Sequence, residues 1–372
     1  MRSSVYLAEP ASPRPRYLQL ADDLRRQIES GSLKPGDRVM PELELAQRHS
    51  LARGTVRQAL QLLVNQGLLQ RTRRKGTFVA GNGLAASTAL ISLVVPYLRD
   101  ALVHGIMLGV ENILRLNGYG LIVGHSHGSL SVEADHLKRL VRDHTSGLIL
   151  FPVAVPGEAE LVLQAAPDGF PIVLIDRAIP GLAASAVLVD NFGGAYRAVE
   201  HLIALGHRRV GCVSHVGHIT AVDDRIKGYA QALWAARLAP IPTLLLPWRE
   251  PAPDGQPPDY SEQDLAPIDR LLDGPDPPTA LFCINDFLAA SLMRHLLGRG
   301  LPIPDQVALV GFDDIPLAAF LPVPLTTVAQ PMFEIGVQAA LLLLNHISGR
   351  ESAPHTVVLP TALVVRASSV NP

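Results

Sequence analysis

Cysteine is nearly absent from this 372-residue chain: there are two, Cys212 and Cys283, far apart and each inside an apolar run. Two thiols cannot build a disulfide scaffold or a zinc cage, and they read as buried thiols of a reducing, cytoplasmic compartment. No run approaches the ~20 apolar residues that span a bilayer, so no membrane partner is expected. The first sixteen residues hold three Arg and three Pro and no apolar stretch, which does not read as a secretory signal. Metal and catalytic signatures are also missing. His125 and His127, and His215 and His218, lack the spacing of two ligands on one helix face and have no thiolate nearby. The segment 124–128 is not a phosphate loop, because no Lys-Ser/Thr follows it. No nucleophile–base–acid pattern and no cofactor lysine motif is found, so the chain reads as a non-enzyme with no cofactor and no metal.

What is present is a globular composition, 48% hydrophobic and 18% charged, with length for two or three domains. The net charge of −2 hides an asymmetry. Residues 1–80 carry 14 Lys/Arg against 7 Asp/Glu, and the rest carry 18 against 27. A basic head on an acidic body points to a polyanion met by the head alone.

Apolar spacing in the head predicts helices over residues 16–30, 42–49 and 53–66. The first carries Tyr17, Leu20, Leu24 and Ile28 on one stripe, and the third carries Val56, Leu60 and Leu63. Strands over 68–72 and 77–80 flank the basic turn Arg73-Arg74-Lys75-Gly76. Three helices and a basic hairpin make a winged helix-turn-helix over residues 16–80, preceded by a tail at 1–15. The small, uncharged stretch that follows makes 81–89 a linker. From there apolar runs alternate with amphipathic helices: 90–95, 120–123, 147–151, 172–175, 186–189, 210–214, 280–284 and 307–311. That grammar predicts parallel sheets covered on both faces, with binding sites beyond the carboxyl ends of the strands. His125, Asp176, Arg177, Asp190, His215, Asn285, Asp286, Asp313 and Asp314 stand at or just past those ends.

The strings YLQLADDLRRQIESGSLKPGDRV, ELELAQRHSLARGTVRQALQLLVNQGLL and KGTFV resemble, in order and spacing, the GntR-type winged-helix DNA-binding domain. In such a head the third helix would present Arg53, Thr55 and Arg57 to a major groove. Arg73, Arg74 and Lys75 would lie along phosphates or a minor groove, with Gly76 permitting close approach. Three places depart from the family pattern: Met40-Pro41 replace the usual Pro-Ser before the second helix, removing a Ser N-cap, Leu43 stands where a DNA-contacting Arg is usual, and Arg74 stands at the hairpin tip where Gly is usual.

The strings VLIDR, VDNFGGAYRAVEHLIALGHRRVGCVS, RIKGYAQAL, PTALFCINDFLAASLMRHLLGRGLPIPDQVALVGFDDIPLA, PLTTVAQP and LVVRASS resemble the effector domain of LacI/GalR repressors, which is similar to periplasmic sugar-binding proteins. The resemblance implies a two-lobed α/β body over 90–372. Lobe one would hold about 90–189 and 330–350, and lobe two about 190–329 and 351–372. Crossings would fall near Asp190, Gln330 and Glu351. Matching positions make Asp176, Arg225, Asn285, Asp313 and Gln330 the expected effector contacts, and His125 joins them from its strand-end position alone; Asp190 and Asp314 read better as caps or ion pairs.

The expectation is therefore a cytoplasmic transcription regulator, a repressor that binds operator DNA as a homodimer and senses a sugar or related small molecule. A solute receptor without a regulatory role would need a secretion signal and no basic head. An enzyme fused to a DNA-binding head would need the absent cofactor motif.

Overall fold

The computed structural model describes residues 16–34, 36–65, 68–72, 76–79, 89–98, 101–142, 145–166, 169–217, 219–249, 257–351 and 353–370. The expected tail at 1–15, the turn residues Arg73, Arg74 and Lys75, and nearly all of the expected linker lie outside them.

The head contains α1 (Arg16–Glu29), α2 (Glu42–Arg48), α3 (Arg53–Asn65), β1 (Leu69–Thr72) and β2 (Gly76–Val79). The stripes read from the sequence are its core. Leu20 and Leu24 of α1 meet Val56, Leu60 and Leu63 of α3, with Leu45 of α2 and Val79 of β2 closing the cluster. The strands pair antiparallel from Leu69 with Val79 to Thr72 with Gly76. Pro41 precedes α2 without any side-chain cap bond, so the replaced serine leaves that helix end uncapped by a side chain.

The body continues with β3 (Ala89–Val95), α4 (Ala101–Leu116), β4 (Tyr119–His125), α5 (Leu130–Arg142), β5 (Thr145–Leu150), α6 (Glu158–Ala165), β6 (Ile172–Ile175) and β7 (Ser185–Val189). There follow α7 (Asn191–Ala204), β8 (Val210–His215), α8 (Thr220–Ala235), β9 (Leu244–Leu246), α9 (Glu262–Leu272), β10 (Ala280–Cys283) and α10 (Asp286–Gly298). The chain ends with β11 (Ala308–Asp313), β12 (Thr326–Ala329), α11 (Met332–Ile347), β13 (Thr356–Leu359) and β14 (Ala362–Val364).

These strands form two sheets, one per lobe. The first runs β4-β3-β5-β6-β7-β13 and the second β9-β8-β10-β11-β12-β14. Strand pairs from β3 to β13 and from β9 to β12 are parallel, and β14 runs antiparallel against β12. Central strands β8 and β10 are buried along their whole length, which is why they read as unbroken apolar runs. The chain passes between the lobes after β7 at Asp190, after β12 at Gln330-Pro331, and between β13 and β14 at Pro360-Thr361. The third crossing thus falls later than the expected Glu351. Residues 356–359 pair with β7 and keep the chain in the first lobe, and this short edge strand, half facing solvent, has too weak an apolar pattern to be read from sequence.

Candidate functional site

In the head, Arg53 and Arg57 are exposed near the start of α3 and Thr55 is half-buried between them. The Arg57 Nε and Nη2 donate to Glu42 Oε2 of α2 at 3.3 and 3.2 Å, an ion pair that ties the two helices at their exposed face. Leu43 is also exposed, on the first turn of α2. Gly76 opens β2 at φ +122°, and any Cβ there would press on the Arg38 guanidinium. Arg38 is thus an exposed cation against the hairpin that the sequence reading did not single out.

In the body, a cavity of about 780 Å³ lies between the carboxyl ends of the two sheets. Asp176, Arg225, Asn285 and Asp313 line it; Gln330 and His125 do not. Arg225, on α8, is buried, and its guanidinium is fixed on three sides. Nε donates to Asn191 Oδ1 at 2.8 Å, while Nη1 donates to the Ile284 carbonyl at 2.6 Å and to Asp313 Oδ1 at 3.3 Å. The plane rests 3.7 Å from the centre of the Phe312 ring. Among the described residues, Nη2 has no hydrogen-bond partner. Gln330 stands behind Asp313 and donates Nε2–H to its Oδ1 at 2.6 Å, so it sets the carboxylate rather than the cavity wall. His125 ends β4 beside His127, with ring centres 3.7 Å apart, and its carbonyl faces the His136 ring.

Asn285 caps α10: its Oδ1 accepts from the Leu288 N–H at 2.8 Å. Its amide nitrogen therefore points the other way, 3.5 Å from His215 Nε2. Burial lowers the His215 pKa to about 4, against weaker opposing bonds from the Pro247 and Leu246 backbone, so this ring is neutral at neutral pH. A neutral imidazole accepting at Nε2 leaves Asn285 with one outward N–H, a donor to the cavity.

Facing these groups, Asp176 follows β6. Its Oδ2 accepts from Arg177 Nε at 2.8 Å, and the Arg177 guanidinium lies 4.6 Å from the centre of the Phe151 ring. Asp176 and Asp313 hold φ of +67° and +115°, so each lobe presents an aspartate from a strained backbone just at a strand's end. Such strain gathers where geometry serves a ligand. Behind the wall, Glu133 and Glu158 are both buried and hydrogen-bonded to each other. Their carboxyls accept from the backbone N–H groups of Val153, Ala154 and Val155 and so fix that turn. Burial first, then the bond and charge of Glu158, push the Glu133 pKa up to about 9.

Asp190 and Asp314 do other work. Asp190 caps α7 through the Gly193 N–H and pairs with Arg197, and Asp314 pairs with Arg366. The sequence reading missed the aromatic lining, Tyr97, Phe151 and Trp248. Tyr97 and Phe151 stand just past β3 and β5, where the strand-end rule would have found them had it not been applied to polar residues alone. Trp248 follows β9, a strand of three residues that gave no sequence signal.

Residues 16–79 match the model of bacterial regulatory proteins of the gntR family, and residues 199–369 match the periplasmic binding protein-like domain. The chain is 30% identical over 95% of its length to the arabinose metabolism transcriptional repressor of Geobacillus stearothermophilus, 98% of which is covered. It is 29% identical over 75% of its length to the HTH-type transcriptional repressor CytR of Escherichia coli K12, covering 79% of that protein. A LacI family transcriptional regulator from Enterococcus faecium, solved with bound ribose, is 28% identical with a TM-score of 0.61, covering 75% of this chain and 98% of that one. The chain belongs to the family of transcriptional repressors that join a GntR-type winged-helix head to a LacI-type, two-lobed effector-binding body.

Proposed function

We propose that this repressor binds operator DNA as a homodimer through paired winged helices, and that a carbohydrate held between its two lobes sets its affinity for that DNA. The observation that carries the reading is the pair of opposed polar walls: Arg225, Asp313 and Asn285 on one lobe, Asp176 and Arg177 on the other. A fixed guanidinium, two carboxylates and a donor amide make paired hydrogen bonds to adjacent hydroxyls. Ligand groups touching both walls bind only when the lobes are together. The ligand therefore favours that arrangement by its differential affinity, ~1–3 kcal/mol in common couplings. The names of the relatives, an arabinose repressor and a ribose-bound regulator, lend support.

On the DNA side, Arg57 would read a base edge while Glu42 holds its guanidinium in register, with Arg53, Arg73, Arg74 and Lys75 on phosphates. The test is a gel-shift titration of the chain's own promoter region, with and without a panel of sugars. The expected result is tight binding that a sugar changes severalfold, and that Arg57→Ala abolishes while Arg225→Ala leaves intact but unresponsive. No promoter binding at any concentration would overturn the head's role; binding that no sugar alters would overturn the effector's.

A further inference from the structure

The cavity is sorted by the strand order, and the sorting exceeds what a simple sugar needs. Each sheet has its interlobe crossings at one edge. Moving away from that edge in the second lobe, strand ends present Asp313 after β11 and Asn285 after β10, then His215 at the end of β8 and Trp248 beyond β9. The first lobe repeats the series, with Asp176 and Arg177 after β6, then Phe151 after β5 and Tyr97 after β3. Flat rings therefore gather at the far side, while Glu158, Thr220 and Asp223 add polar groups elsewhere in the lining. The two far sides meet: the Tyr97 and Trp248 rings, from opposite lobes, lie 5.3 Å apart, and the His215 ring stands edge-on to Trp248 at 4.9 Å.

Size points the same way. At about 780 Å³ the cavity lies at the roomy end of ligand pockets, which run about 300–1,000 Å³. The ring faces of Tyr97 and Trp248, with Phe151 and Val153, offer that side a broad apolar surface that suits a flat ring better than a row of hydroxyls. His215, also on that side, is neutral, with its Nε2 3.5 Å from the Asn285 amide nitrogen.

We infer that the effector has two parts: a polyhydroxylated ring bound at the crossing side, and a flat apolar ring attached to it and packed beneath the Tyr97–Trp248 pair. This rests on the carbohydrate reading and narrows it to glycosides of an aromatic ring. Two sources share that chemistry: O-linked phenolic glycosides and N-linked nucleosides.

The test is isothermal titration calorimetry of the full-length protein with matched probes. For glucose, galactose, arabinose, xylose and ribose these are the free sugar, its methyl glycoside and its phenyl glycoside; adenosine and cytidine form the N-linked arm. The expected result is that one phenyl glycoside or nucleoside binds about ten- to a hundredfold tighter than the matched methyl glycoside, the ratio for burying a ring of that size. Trp248→Ala and, separately, Tyr97→Ala should bring that ratio close to one. A phenyl preference with nucleosides silent assigns the O-linked class, and the reverse assigns the N-linked class. If a sugar binds but its aromatic glycoside binds no better, the two-part ligand is overturned and the carbohydrate reading stands. If no probe binds in any form, the carbohydrate reading falls and this inference with it.

Discussion

Arg225 joins the packing of the body to the proposed effector site. Its buried guanidinium is held by Asn191, Ile284 and Asp313 and stacked on Phe312, so the protein has already met the cost of fixing it before any ligand arrives. Arg225→Ala leaves the Asp313 carboxylate without its cation and should lower body stability by about 3–5 kcal/mol, read from denaturant melts. Arg225→Lys keeps the charge but not the planar fork; calorimetry should show a loss of effector affinity beyond about tenfold in a protein that still folds. Glu133 makes a second prediction. Its proton is retained in the folded state up to a pKa of about 9, whereas an unfolded glutamate loses it near the ordinary value of 4.5. Between these pH values the folded state binds more protons, so stability is greatest below the lower one and declines as pH rises toward the upper. His215 acts at the other end: with a folded pKa near 4 against 6.5, it costs stability as pH falls below 6.5. Melting temperature followed from pH 5 to 9 should fall on the alkaline side in the wild type. Glu133→Gln, which keeps the neutral form, should flatten that fall; an unchanged slope would show that the pair holds no proton.

At the scale of elements, α7 and α8 make the clearest packing constraint. Gly228 of α8 lies against the Phe192 carbonyl of α7, so close that a Cβ would overlap it. Neither backbone can give way without moving a helix that carries a site residue, Asn191 on one and Arg225 on the other. Gly228→Ala should therefore lower the melting temperature by several degrees, about 1–3 kcal/mol, and weaken effector binding, whereas the same change at exposed Gly298 should do neither. This glycine also shows what was legible beforehand. Helices α1, α2 and α3 and the buried strands were readable because their apolar periods are strong and their burial complete. β9, β12, β13 and β14 are three or four residues long, too short for a period to form, and their existence depends on an edge or neighbour supplied by the fold. Of the site, Asp176, Arg225, Asn285 and Asp313 were placed by motif and position. The aromatic wall was not, because Tyr97, Phe151 and Trp248 come together only through the order of strands in two sheets, which no local pattern encodes.

At the scale of the whole chain, the uneven distribution of charge separates the two binding events. Residues 1–80 hold 14 Lys/Arg to 7 Asp/Glu, while the rest is acidic, so attraction to phosphates is confined to the head and the body gains nothing from DNA. The effector site works differently. Arg225 is 5% exposed and Asp176 2%, so in the proposed site their bonds to a ligand would form out of reach of bulk ions. Raising the salt should therefore affect the two activities unequally. A dimer that neutralises about six to ten phosphates loses ~10³–10⁵ in affinity between 50 and 200 mM salt, through release of counterions. Effector binding should change by less than about twofold over the same range. Fluorescence anisotropy on a labelled promoter fragment, run beside calorimetry at each salt concentration, measures both. Parallel losses would mean that the effector is itself held by exposed charge, against the buried cluster described here. A flat DNA response would mean that the basic head does not lie on phosphates, and would leave Arg53 and Arg57 as solvated side chains of a small helical domain.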